Sequence, residues 1–190
     1  IVIVPVYMDR TEGESMSGNP ALDKYITAQM TKRDYKATRA NVLTLTAPES
    51  LGLTKKMNLK DIVVVGMGKK EAAPTAEEML GIGKAVVNAL GKDKTAVVLG
   101  AGKESVDLAD AMLRGSYVYD VQKSGKLGNK PSKLHIDFAV ANPKSKEKAF
   151  EPRKITTLSS HWAADLANAP SNRLTPGKYA DYIANQLVNL

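Results

Sequence analysis

Cysteine is absent from this 190-residue chain, which excludes disulfides and thiolate metal sites and points to a reducing, cytoplasmic compartment. Aromatic residues make up 5%, with one Trp and two Phe, too sparse for a surface that stacks nucleic-acid bases on rings. Histidine occurs twice, at His135 and His161, whereas a zinc site takes three or four ligands at close spacing. No apolar run approaches the ~20 residues of a membrane span, so no membrane partner is expected. The opening IVIVPVYM is shorter still and lacks the basic region of a signal peptide. There is no Gly-x-Ser-x-Gly nucleophile elbow, no spaced carboxylate pair suited to acid–base work, and no internal repeat.

What is present is a chain of 43% hydrophobic residues, long enough to bury roughly 70% of its unfolded surface. The length fits one domain, or one domain with a piece of another. The net charge is +7, which suits an acidic partner such as nucleic acid. The lysines are dispersed, however, and such a surface more often serves solvation. The densest basic stretch, Lys123 to Lys133, reads as a loop carrying Lys123, Lys126, Lys130 and Lys133 as candidate phosphate contacts.

Short β-branched runs alternate with helical patterns. Residues 1–8 read as a strand in which Pro5 favours an edge or a bulge. Asn19-Pro20 reads as a cap and first helical position for a helix with Leu22, Ile26 and Met30 on one face. Strands follow at 41–47 and 61–68, the second buried on both faces. A helix over 75–91 has Thr75 as cap, Glu78 closing a capping box and Gly91 as terminator. A strand at 95–102 precedes a helix over 104–122 that presents Val106, Ala109, Leu113 and Tyr117. A strand at 133–141 precedes a helix over 154–169 that presents Ile155, Leu158, Trp162 and Leu166. This alternation predicts an α/β fold: a layered, mostly parallel, mixed sheet with helices on both faces.

Two strand ends carry glycine pairs, Gly66-Met67-Gly68-Lys69 and Gly100-Ala101-Gly102-Lys103, each able in principle to cradle phosphate. The third glycine of a dinucleotide fingerprint would fall at Glu71 or Ser105. A Walker loop needs Ser or Thr after Gly-Lys, where this chain has Lys70 and Glu104. The glycines therefore read as tight turns. His161 and Asp165, one helical turn apart, could share a metal weakly but more often make a surface hydrogen bond. On residues alone, no active site emerges, and a nucleic-acid-binding or nucleotide (ADP-ribose-like) binding module stays open as an alternative.

The segment ANAPSNRLTPG, residues 167–177, is more distinctive. Pro170 ends one helix, while Thr175 and Pro176 open another that presents Tyr179, Tyr182, Ile183, Leu187 and Leu190 on one face. Leu190 has no stop signal behind it, so the reading is of a chain cut in mid-protein. The order DIVVVGMGKKE (61–71), ADAMLRGSYVYDVQKS (109–124) and DLANAPSNRLTPGKYADYI (165–183) resembles successive landmarks of the leucyl aminopeptidase (M17 cytosol aminopeptidase) family. The long junction motif carries most of the likeness.

That resemblance implies a macro-domain-like, non-catalytic α/β domain over residues 1–150. It implies a linker helix and the start of a metallopeptidase catalytic domain over 151–190. It further implies a parent enzyme that removes N-terminal amino acids from peptides, binds two divalent metals (Zn or Mn) and forms a hexamer. The family's metal motifs, resembling GKGITFDSGG and NTDAEGRL, do not occur here, so no catalytic residue, metal ligand or cofactor is assigned to this chain. Its expected role is packing against its own catalytic domain and helping to arrange the hexamer, with Trp162, Leu166, Tyr182, Ile183 and Leu187 as the interface.

Overall fold

The computed structural model describes residues 1–11, 13–52, 59–91, 95–119, 134–171 and 174–187. Five strands are present among them: β1 (Val2–Tyr7), β2 (Val42–Thr46), β3 (Asp61–Gly68), β4 (Thr95–Val98) and β5 (His135–Phe138). They form one sheet in the order β2-β3-β1-β4-β5. All neighbours run parallel except β2, which is antiparallel to β3. The helices are α1 (Pro20–Lys32), α2 (Ala76–Leu90), α3 (Ser105–Gly115), α4 (Pro143–Asn168) and α5 (Pro176–Leu187).

β1 and β3 are apolar in continuous runs because both of their faces are covered. On one face Val2, Val4, Val6, Ile62 and Val64 meet Leu22 and Ile26 of α1. On the other, Ile3, Val63 and Val65 meet Met79, Ile82, Val86 and Leu90 of α2 and Leu108 and Met112 of α3. Each such fully buried side chain contributes about 1.5–3 kcal/mol, so this two-sided core dominates stability. Gly83 lets α2 and α3 touch closely: a Cβ there would stand 2.3 Å from the Ala111 backbone.

The local signals hold where capping decides them. The Asn19 side chain accepts from the Ala21 and Leu22 amides at 3.0 and 3.1 Å. Thr75 and Glu78 make the reciprocal capping box, and Gly91 follows the last turn.

Four expectations need correction. Pro5 is not on an edge: β1 lies mid-sheet, with Pro5 opposite Val65. The carbonyls of Ile1 and Ile3 accept from Val97 and Leu99 at 2.9 Å, so odd residues of β1 address β4. Because β4 stops at Val98, the N–H that proline lacks would point past its end, and a register shift follows at Val6/Tyr7. Second, β4 is shorter than the 95–102 run, whose end winds into a 3-10 turn at Gly102–Glu104.

Third, α3 stops at Gly115, so Tyr117 is not part of it. Its buried residues are Ser105, Leu108, Ala111 and Met112, while Val106, Ala109 and Leu113 are half-buried. The helix lies between the sheet and α4, so it has two apolar faces, and the sequence pattern displayed the outer one. Fourth, the last long helix begins at Pro143, well before 154, and runs without interruption through 150/151 with Pro152 inside it.

The loop before α1 is fixed by one carboxylate. Asp23 accepts from the Ser15 and Ser17 hydroxyls at 2.7 and 2.6 Å, and from the Met16 and Ser17 amides at 3.1 and 2.9 Å. Partial burial alone would raise its pKa, but the serine and amide hydrogen bonds outweigh burial and hold it below the ordinary carboxylate value. Its stabilisation is thus full above about pH 4 and disappears as the pH falls through the folded-state value. Asp23→Ala is expected to cost about 2–4 kcal/mol at neutral pH. In urea melts the gap from wild type should close as the pH is taken toward about 2. A gap that stays constant with pH would contradict this account.

Candidate functional site

In an open α/β sheet, ligands usually enter at the carboxyl ends of the strands. Here those ends are Tyr7, Gly68 and the turn at Gly100. The chain itself covers them. Gly100 sits at φ +72, and a Cβ there would stand 1.6 Å from the Met16 carbonyl oxygen. A Cβ on Gly66 would stand 2.0 Å from the Thr38 carbonyl oxygen. Both glycines are therefore needed for close approach of the chain's own backbone.

The charges at this edge point the same way. Lys70 forms an ion pair with Glu14, and its amide donates to the Asp9 carboxylate at 3.0 Å. The hydrogen bond from Lys70 leads the causes that hold the Glu14 carboxyl below its usual range. Burial, and next the hydrogen bond to the Glu104 carboxylate, push the Tyr7 phenol above its usual range. Glu14 and Glu104 are thus paired with Lys70 and Lys103, so these two lysines are already engaged by the chain's own carboxylates.

A cleft of about 510 Å³ lies between α2, α3 and α4, lined in part by Thr75, Lys103, Asp107, Asp110, Arg114 and Arg153. Its charges are paired, one pair across the α3/α4 seam and one within α3. Arg153 bonds Asp107; Arg114 Nε meets Asp110 at 3.0 Å, and the buried Thr157 hydroxyl donates to the same carboxylate at 2.6 Å. The Asp107 hydrogen bond keeps Arg153 more firmly protonated than usual. The Arg153–Asp107 and Thr157–Asp110 contacts clamp α4 to α3.

The histidines are apart. His135 on the edge strand faces Asp137 at 3.4 Å. The His161 ring lies 5.0 Å from that of Tyr117, and Asp165 accepts from the Tyr117 hydroxyl at 3.0 Å. Among the described residues, no three His, Asp or Glu side chains gather where they could hold a metal ion. The described residues thus do not fit the two-metal centre that the resemblance implies for the parent. Lys123, Lys126, Lys130 and Lys133 lie outside the described residues.

The α4/α5 face is different in kind. Trp162 stacks on Tyr182 with centroids 6.0 Å apart and planes 17° from parallel. Trp162, Leu166 and Ile183 are half-buried; α5 runs to Leu187, whose side chain lies outside the described residues. Tyr182 is 41% exposed, Tyr179 44%, Leu158 47% and Ile155 59%. Ile155, Leu158 and Tyr179, read from sequence as belonging to these helix faces but not to the interface, extend the exposed apolar surface. Ile155 and Leu158 share the helical spacing of Trp162 and Leu166, which was the available signal.

Residues 3–126 match the N-terminal domain of the cytosol aminopeptidase family. The chain belongs to that family. A probable cytosol aminopeptidase of Rhizobium johnstonii is 30% identical over 156 residues, spanning 77% of this chain and 30% of that protein. A second, from Rhizobium leguminosarum bv. trifolii, is 25% identical over 186 residues, or 92% of this chain and 36% of its own length. The chain thus spans about a third of the length of these relatives. Among solved structures, the bottromycin maturation enzyme BotP, also solved in complex with Mn, superposes with a TM-score of 0.68 at 20% identity. It covers 97% of this chain and 36% of BotP. A tomato leucine aminopeptidase mutant superposes with a TM-score of 0.68 at 17% identity, covering 95% and 37% of the two chains. These structural likenesses speak to the fold.

In this member of the cytosol aminopeptidase family, Gly100→Ala should destabilise by at least about 2 kcal/mol, since it adds both a clash and left-handed strain. Calorimetry of the wild-type chain with ADP-ribose should give no binding heat. Saturable heat would show that the Met16 crossing does not close the edge.

Proposed function

We propose that this chain is the non-catalytic N-terminal part of a metal-dependent leucyl aminopeptidase, serving domain packing and hexamer assembly in the cytoplasm. The observation that carries this reading is the match of residues 3–126 to the family's N-terminal domain. On this reading the parent removes N-terminal amino acids from peptides, and its two divalent metals, Zn or Mn, are held by sequence that corresponds to the other two thirds of the relatives. Support for metal use in the parent comes from the Mn complex of the bottromycin maturation enzyme. The described part of the chain has no helix long and apolar enough to cross a membrane.

The packing surface in this proposal is the α4/α5 face. An exposed aromatic and aliphatic cluster of this kind marks a protein contact. Residues 1–150 would form the N-terminal domain, with α4 carrying the chain across position 150 as a rigid strut toward the catalytic domain.

The test is direct. The purified chain should hydrolyse leucine p-nitroanilide no faster than buffer, with Mn²⁺, Zn²⁺ or neither. Turnover that a chelator abolishes and Mn²⁺ restores would overturn the non-catalytic reading. Replacing Trp162 and Tyr182 by Ser should lower self-association or weaken capture of the parent's remaining portion, measured by sedimentation. Unchanged association would remove the interface assignment.

A further inference from the structure

A second cavity, of about 690 Å³, lies between α3, β5 and α4. That volume is typical of a small-molecule pocket, for which the range is about 300–1,000 Å³. Its walls are mostly apolar and include Val106, Leu113, Ile136, Phe138 and Phe150. Val106, Leu113 and Phe150 serve neither the sheet's two covered faces nor the Trp162–Tyr182 stack, while Ile136 and Phe138 also pack against the core beside α2 and α3.

One polar group in it is unexplained. Ser105 lines the cavity, is 3% exposed, and its hydroxyl has no hydrogen-bond partner. Buried hydroxyls are rarely left unpaired, because desolvating one without a partner costs about 1–3 kcal/mol. Beside it, Lys146 also lines the cavity, and its ammonium donates to the Lys103 carbonyl at 3.4 Å. A cation thus stands next to the turn that leads into Ser105. The carboxylates on the same rim are Asp137, which faces His135 at 3.4 Å, Glu151, which meets Lys154 at 3.5 Å, and Glu147.

We propose that this cavity binds a small carboxylate on an apolar body, its head accepting from the Ser105 hydroxyl and Lys146 and its tail lying along Val106, Leu113, Ile136 and Phe138. The inference is independent of the aminopeptidase reading. A carboxylate fits because it accepts from a hydroxyl and an ammonium at once, whereas a phosphate would leave the apolar walls uncovered. Two sources share this chemistry: an aliphatic acid, and an apolar amino acid whose ammonium would meet Glu147.

The experiment is an amide-shift titration of the full chain with octanoate, leucine and, as a control without a carboxylate, 1-octanol. Octanoate or leucine at millimolar concentration should shift amides of Val106–Leu113 and Ile136–Phe138 saturably. Ser105→Ala should weaken binding on the order of tenfold, the usual effect of losing a hydrogen bond to a charged group. Lys146→Gln, at a half-buried position, should weaken octanoate but not octanol, and provides the same information if Ser105→Ala fails to fold. Tighter binding of leucine assigns the amino acid; tighter binding of octanoate assigns the aliphatic acid. The proposal is overturned by absence of saturable shifts, by octanol binding as well as octanoate, or by affinity unaltered in both variants.

Discussion

The structure depends on β1 being covered on every side. It pairs with β3 and β4, and Val2, Ile3, Val4 and Val6 are at most 4% exposed. A strand in that position must be apolar on both faces, and helices must then lie on both faces of the sheet. α1 takes one face and α2 with α3 the other, so α4 and α5 find no sheet left to cover. α4 stacks outside α3 instead, and α5 meets α4 through the Trp162–Tyr182 stack. That geometry explains why the core is complete without them and why their apolar residues point outward.

The same constraint shapes the carboxyl edge. With β1 at mid-sheet, the chain leaving Tyr7 must cross the strand ends to reach α1. It does so with Met16 buried in the core and the Met16 carbonyl against Gly100, held by Asp23. A crossing backbone and a bound phosphate would need the same space. At Gly100 the backbone has it, and Gly66 likewise admits the Ala37–Thr38 segment that follows α1.

What the sequence revealed divides along the range of the interactions. Asn19 and the Thr75/Glu78 box act within three residues of themselves, so a linear reading finds them. The missing fingerprint glycines at Glu71 and Ser105 were equally local. For Pro5 the edge reading failed, because its tolerance depends on where β4 ends, some ninety positions away, whereas the bulge reading has a counterpart in the register shift at Val6/Tyr7. The first half of α4 was missed because Lys144 to Lys148 are polar and Pro152 looks like a stop; Asp107 and Arg153, on different helices, clamp the helix in place. Neither the Asp23 anchor nor the orphan hydroxyl of Ser105 has a sequence signature, since serines and aspartates at such spacings are common in loops. The alignment of family landmarks identified the chain, but physical pattern alone stopped at an α/β sheet.

α3 shows why a single helix can mislead and inform at once. Its inner stripe, Leu108, Ala111 and Met112, and its outer stripe, Val106, Ala109 and Leu113, together exceed what one packing face requires. A helix apolar over so much of its circumference is expected only where a second layer lies above it, and α4 supplies part of that layer. It does not supply all, because the clamp through Asp107–Arg153 and Asp110–Thr157 seats α4 along one flank. On the other flank Leu113 and Val106 open onto β5. The cavity is therefore a consequence of polar pairs fixing a helix to one side of an apolar stripe, and its existence follows from those pairs rather than from loose packing.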